Sequence, residues 1–273
     1  MFKPLRHSIP ALALLAIGAT SAFGQALPTS QPKLLQIYRE QVKVGHAAAH
    51  AKIESGWPAA FAKAKSPDYY LALASITGPN EVWFMSPWDS YTAWGKSTAR
   101  DAANAELSAE QDRLSLADGE HVDAMRVLEA TARPDLSHGT YPDLNKQRFW
   151  EITVMRIRPG RDDQFAAAAK AYKALATRAM PNTRWRVYQI TQGMVGPTYL
   201  IFSSVDSFGQ FDASMAEGMG AEKSMTAEER AIFQKFDTEA LISAESNRFR
   251  LDPTMSYASA ETKAADPAFW SKK

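Results

Sequence analysis

Residues Leu35 to Gly45 (LQIYREQVKVG) alternate apolar and polar side chains and close on a glycine. An Ala-rich stretch follows, with apolar positions at Ile53, Trp57, Ala60, Phe61 and Ala64. The first pattern has a period of two and predicts a strand. The second has i, i+4, i+7, i+8 spacing and predicts a helix over 46–65. Ser66-Pro67 ends that helix. Strand patterns over 69–76 and 81–86 then flank the turn residues Gly78-Pro79-Asn80. Asp89 stands where an N-cap opens the next helix, and a further helical stretch runs from Ala109 to about Ala132. A fourth strand falls around 122–131 or near 247–251, and the pattern alone does not separate it from the helix before it.

The same order comes round again. Trp150 to Gly160 (WEITVMRIRPG) matches the first strand and its glycine, and the helix over 161–180 carries Phe165, Ala168, Tyr172, Leu175 and Ala176 on one face. Trp83 to Trp94 parallels Ile201 to Phe211, with Asp206 opposite Asp89. Leu107 to Leu114 parallels Met225 to Ile232, and Pro134 to Ser137 parallels Pro253 to Ser256. The four offsets are 115, 117, 118 and 119 residues, in order and drifting slightly, as small insertions produce. The chain is therefore a duplication, with a period too long for a solenoid repeat.

Each copy reads β-α-β-β-α with a closing β, the split βαβ or ferredoxin-like order. One such unit covers one sheet face with its helices and leaves the other bare, so two copies can pack sheet on sheet. The expected fold class is α+β: two ferredoxin-like units from an internal duplication, their sheets packed as an intrachain α/β barrel. The units are placed at 33–142 and 143–260, with a C-terminal tail at 261–273. The strand, Val/Pro-Gly, helix opening and the hairpin running into Trp/Val-Asp-Ser-aromatic resemble the dimeric α/β-barrel superfamily, here in tandem. That superfamily includes antibiotic-biosynthesis-type monooxygenases. The resemblance covers nearly all of 33–257 and specifies fold far better than activity. It implies a small apolar or aromatic ligand and an oxygenase that needs no cofactor, the substrate supplying the electrons. Haem enzymes in the same superfamily imply the alternative of a haem site, for which His121 and His138 are the ligands on offer. A rival of a different class is a non-catalytic structural or protein-binding module with a filled inter-sheet core.

The first residues read as an address. Lys3 and Arg6 precede an apolar run over 9–18, and the small-residue stretch ending Ala22-Phe23-Gly24 allows cleavage before Gln25. The apolar run is shorter than the ~20 residues a membrane span needs. The expectation is a signal peptide over 1–24 and a flexible Pro-rich leader over 25–32. The protein is then exported, to the bacterial periplasm, with no membrane partner after cleavage.

Composition narrows the classes further. There is no cysteine among the 273 residues, which excludes a disulfide scaffold, a thiolate metal site and a Cys nucleophile. Thirty-one basic and 30 acidic residues give +1, and the basic residues do not cluster, so nucleic acid is not an expected partner. Loss of Lys3 and Arg6 with the signal would leave −1. No P-loop, dinucleotide fingerprint or nucleophile elbow occurs. A second copy of the chain is the remaining partner considered.

Candidate chemistry rests on the strands. Gln36, Tyr38 and Glu40 share one face of the first strand, opposite Glu151, Thr153 and Met155 in the second copy. This face is the more polar one and is expected to line a cavity between the sheets, with Trp83, Trp185 and Tyr188 as aromatic walls. Glu151 and Tyr38 are the catalytic candidates. Glu151, if buried against aromatics, would take a proton. Gln36, Trp83, Trp185 and Tyr188 are the ligand-binding candidates. His46 and His50 are spaced i, i+4, as a metal pair would be, but His50 aligns with Phe165 and so continues the apolar stripe. No metal and no cofactor are expected.

Overall fold

The computed structural model describes residues 27–271. The expected signal peptide lies outside them. The first unit consists of β1 (Leu34–Val42), α1 (Ala47–Glu54), α2 (Gly56–Lys63), β2 (Tyr70–Ser75), β3 (Glu81–Trp88), α3 (Tyr91–Ala102), α4 (Ala105–Asp118) and β4 (Val122–Ala132). The second consists of β5 (Phe149–Ile157), α5 (Asp162–Ala179), β6 (Arg186–Gln192), β7 (Thr198–Val205), α6 (Gln210–Lys223), α7 (Ala227–Glu239) and β8 (Leu241–Tyr257). Two short helices, α8 (Ala260–Ala265) and α9 (Pro267–Trp270), end the described chain.

The eight strands form one closed antiparallel barrel in the order β1-β3-β2-β8-β5-β7-β6-β4. Each unit contributes a β4-β1-β3-β2 type sheet. Two seams join the sheets, β2 with β8 and β4 with β6. The 17-residue β8 serves both sheets: Leu241 to Arg250 pair with β5, and Phe249 to Tyr257 pair with β2. Closure removes the free edges that an open sheet would present. Both strand-to-helix turns rest on glycines at positive φ, Gly45 at 85° and Gly160 at 77°, which only glycine adopts without strain.

Several expectations change. The helical stretch expected from Ala109 to about Ala132 stops at Asp118, and the alternative of a strand around 122–131 holds as β4; in the second unit α7 likewise stops at Glu239 before β8. Met125, Arg126, Leu128 and Glu129 favour helix locally. Ladder bonds to β1 and to the other unit override that preference. The N-cap of α3 is Ser90, whose hydroxyl accepts from the Ala93 amide at 3.1 Å, one residue after Asp89; the N-cap of α6 is Gly209, without a side-chain cap, not Asp206. Finally, leader and tail are packed. Leu27, Trp270 and Phe269 join the barrel core, the Gln31 amide donates to the Val187 carbonyl at 3.0 Å, and Arg148 pairs with Asp266. Apolar side chains that can reach the barrel mouth are better buried there than in water.

Period-two alternation sorts each strand. Leu35 and Ile37 of β1 face into the barrel with Leu71, Trp83, Leu128, Ile152 and Phe249. Val42 packs outward under α1 and α2 with Tyr70, Ala72, Val82 and Phe84. The barrel interior is thus apolar. The more polar face of β1, expected between the sheets, is the helix-covered outer face. The physical reason is that closure buries the inner face on all sides, which favours apolar side chains; the charged groups on that face, Arg39 and Glu81, are paired with each other.

Candidate functional site

Between the outer face of the first sheet and its helices lies a cleft of about 760 Å³. Gln36, Tyr38 and Glu40 come from β1, Glu54 and Trp57 from the α1–α2 junction, Tyr70 and Phe84 from β2 and β3, and Asp118 from the end of α4. Trp88 and Trp94 stack at its wall, centroids 6.2 Å apart and planes 3° from parallel. The cleft lies on the opposite face of the sheet from the barrel interior, which itself keeps a cavity of only about 90 Å³, at the mouth lined by Leu27 and Tyr141.

At the floor of the cleft four ionisable residues converge. His50 Nε2 lies 3.0 Å from Glu40 Oε2 and 3.6 Å from Asp118 Oδ1. Glu54 completes the group, and one ligand-type atom from each of the four lies within 4.8 Å of the others. All four residues are buried, His50 to 1% exposure. Local sequence explains the convergence. His50 and Glu54 are i, i+4 on α1 and share a face. Pro58 has no N–H for the Glu54 carbonyl, so the helix breaks at Ser55 between α1 and α2. Gly56 then lets α4 approach, since a Cβ there would stand 2.6 Å from Leu114 Cδ2. Leu114 and Leu107 pack on Ile53, Trp57 and Ala60, which carries Asp118 to His50.

The electrostatics follow from burial and like charge. Burial first, then Glu40 and Asp118, push the Glu54 carboxyl up to about 9, so it is protonated at neutral pH. Burial and Glu40 push Asp118 up to about 6, opposed by His50 and His121. Asp118 Oδ1 and the Tyr70 hydroxyl are buried without a hydrogen-bond partner among the described residues. Burial, with Glu54 and Glu40 nearby, holds the Tyr70 phenol well above its usual range.

The second unit is an internal control. By the repeat offsets, Glu40, His50, Glu54 and Asp118 correspond to Met155, Phe165, Ala169 and Phe236. Those four form apolar core: Phe165 and Phe236 lie 6.0 Å apart, with Met155 and Ala169 in the same cluster. The fold therefore builds this helix–sheet contact without polar groups. The first copy buries three carboxyls and an imidazole where hydrophobic packing would serve.

The residues singled out from sequence are divided among four places. Gln36 and Tyr38 line the cleft, and the Gln36 amide donates to the Tyr38 hydroxyl at 3.1 Å. Trp83 is inside the barrel, its indole N–H donating to Glu81 at 2.9 Å under the Arg39 guanidinium. Tyr188 is inside as well, donating to the Pro32 carbonyl at 3.2 Å. Trp185 packs under α5 in the second unit and donates to the Leu136 carbonyl at 2.9 Å. Glu151 is half-exposed on the outer face, 3.4 Å from Arg248 Nε, so the burial that would make it a base is missing. His138 stacks on Trp185 with centroids 4.7 Å apart, and His121 Nδ1 meets His46 Nδ1 at 2.8 Å. Among the described residues, no histidine lines either cavity described above. Glu40, on the face expected to line a cavity, does line the cleft; Glu54 and Asp118 were missed as site residues. Comparison of the two copies position by position, polar against apolar, is the signal that finds them.

No protein-family model matches the chain, and no curated protein matches it in sequence. Solved structures do match. An anthrone oxidase-like protein superposes with a TM-score of 0.56 at 14% identity, over 82% of this chain and 93% of that one. A protein from Fusobacterium nucleatum assigned as a monooxygenase gives 0.53 at 12% identity, over 81% and 93%. The chain has the dimeric α/β-barrel fold. In this tandem barrel the two halves pair within one chain, and at such low identity the likeness extends to the fold alone. A chlorite dismutase variant from Candidatus Nitrospira defluvii matches the tandem barrel at 0.50 and 9% identity, over 82% and 93%.

Proposed function

We propose that the protein is an exported tandem barrel that binds a small apolar or aromatic molecule in the first-unit cleft and oxygenates it. One observation carries the reading: an aromatic-walled cleft ends on Glu40, Glu54 and Asp118 in one copy, while the other copy fills the same place with Met155, Phe165, Ala169 and Phe236. Aromatic walls with a few convergent polar groups suit a small organic ligand. The likeness to an anthrone oxidase-like protein and to a monooxygenase-assigned protein supports oxygen chemistry. The reaction class is oxidation of an activated methylene by dioxygen, CH2 + O2 → C=O + H2O, in which the substrate supplies all four electrons. The protein's part is to hold the ring system between Trp57, Phe84 and Trp94 and to accept the methylene proton on a floor carboxylate.

The test is oxygen uptake with a panel of hydroxylated tricyclic and bicyclic aromatics, beside tryptophan fluorescence quenching for binding. Turnover that is lost in Asp118→Asn with quenching retained supports the reading. Absence of both uptake and quenching across the panel overturns it.

A further inference from the structure

We propose that Glu40, His50, Glu54 and Asp118 are the ligands of one first-row divalent cation of the Mn2+, Fe2+ or Zn2+ class. The inference does not depend on the oxygenation reading. It rests on geometry, on unpaired buried atoms and on the contrast between the two copies.

The geometry is that of a site close to ligation. Around one ion at about 2.0–2.2 Å, ligand atoms stand at most about 4.3 Å apart. Here the four candidate atoms lie within 4.8 Å of one another, so closure needs a contraction of roughly half an ångström. Three carboxylate oxygens with one imidazole nitrogen suit Mn2+, Fe2+ and Zn2+, whereas Mg2+ and Ca2+ prefer oxygen alone. The ligands come from three elements, β1, α1 and α4, which the helix break at Ser55 and the close approach at Gly56 bring together.

Two buried polar atoms at the site point to a ligand that the protein itself does not supply. Asp118 is 7% exposed and its Oδ1 accepts no hydrogen bond. Tyr70 is 9% exposed, lines the cleft, and its hydroxyl is also unpartnered. His50 Nε2 stands at 3.6 Å from Asp118 Oδ1, beyond hydrogen-bond reach; buried polar groups are almost always hydrogen-bonded, and a carboxylate oxygen is among the costliest to leave without such a bond. A dication would bind Asp118 Oδ1 directly and offset the repulsion between the Glu40 and Asp118 carboxylates. The surrounding field favours it: Asp112 and Asp123 also line the cleft, and among the described residues no Lys or Arg does. Asp68 and Asp101 line it too, but they are paired with Arg100. Glu40, Glu54 and Asp118 line the cleft and His50 stands behind them, so the ion would be held from the protein side with its open side toward a bound molecule.

The experiment uses the full chain, stripped with chelator and dialysed, then titrated with Mn2+, Zn2+ and Co2+ by calorimetry, with elemental analysis for stoichiometry. The expected result is one equivalent bound, a rise in melting temperature, and Co2+ d–d bands of mixed nitrogen–oxygen ligation. Mg2+ should bind much more weakly. His50→Phe and Asp118→Asn should each weaken binding roughly 100-fold or more, and Glu40→Met/His50→Phe/Glu54→Ala/Asp118→Phe should abolish it. That fourfold variant copies the second unit's core, so it is expected to fold, as a cooperative melt would show. Asp118→Asn, nearly isosteric, tests the same point should the fourfold variant not fold. No stoichiometric binding by the unmodified protein, or binding undiminished in His50→Phe and Asp118→Asn, overturns the assignment.

Discussion

His50 Nε2 stands 3.0 Å from Glu40 Oε2, joining the first helix to the first strand at the place where the second unit sets Phe165 beside Met155. The pair is buried in a contact that the other copy completes with hydrocarbon.

The Glu54 carboxyl gives a pH signature in the metal-free protein. Its folded value of about 9 exceeds the ordinary 4.5, because of burial and of Glu40 and Asp118 facing it, with Trp57 opposing. The folded state therefore binds the proton that the unfolded chain has released. Its contribution is present below 4.5 and is lost as pH rises toward 9, with a limiting slope of about 1.4 kcal/mol per pH unit. Urea denaturation from pH 6 to 9 should show the decline, and Glu54→Gln should flatten it. An equal decline in both proteins would count against this placement of the charge.

Glu151→Gln should leave stability within about 0.5 kcal/mol of the parent, since its partner Arg248 is more than a third exposed and such pairs contribute little. Ligand quenching in the first-unit cleft should not change either. A loss of turnover in this variant would return Glu151 to the chemistry and move the site to the second unit.

Trp83→Ala should cost about 3–5 kcal/mol, because it opens the barrel core against Phe249 and leaves Glu81 without its indole donor. Cleft binding should persist in the folded fraction, since Trp83 is on the other face of the sheet. Trp94→Ala, at the cleft wall, should do the reverse: a small stability change and a clear loss of ligand quenching.

Trp270→Ala should destabilise by about 3 kcal/mol, because Trp270 is buried against the barrel mouth with Phe269. Differential scanning calorimetry reads this directly. An unchanged melting temperature would show that the C-terminal helices do not seal the barrel in solution.

Much of the architecture can be read from local pattern. Gly45 and Gly160, the stripes through Trp57 and Tyr172, and the collinear offsets are all properties of short stretches of chain, and strand and helix periods survive without tertiary information. The seam strands were harder. Residues 122–132 and 241–257 pair partly with the other unit, and their helix-like composition yields to ladders formed more than 50 residues away. The site was legible only in part. Gln36 and Tyr38 belong to the cleft, but alternation states which residues share a face and not which face meets the barrel interior.

The sequence by itself determined two ferredoxin-like copies, their element order and the pairing of equivalent positions, because those depend on periodicity and repeat alone. Only the tertiary structure decided which sheet face is inside, that Leu27 and Trp270 cover the mouth, and that Glu40, His50, Glu54 and Asp118 meet. Their meeting requires a strand, a broken helix and a second helix to converge, aligned by Pro58, Gly56 and the packing of Leu114. That convergence is a property of three elements in space, and no stretch of chain carries it.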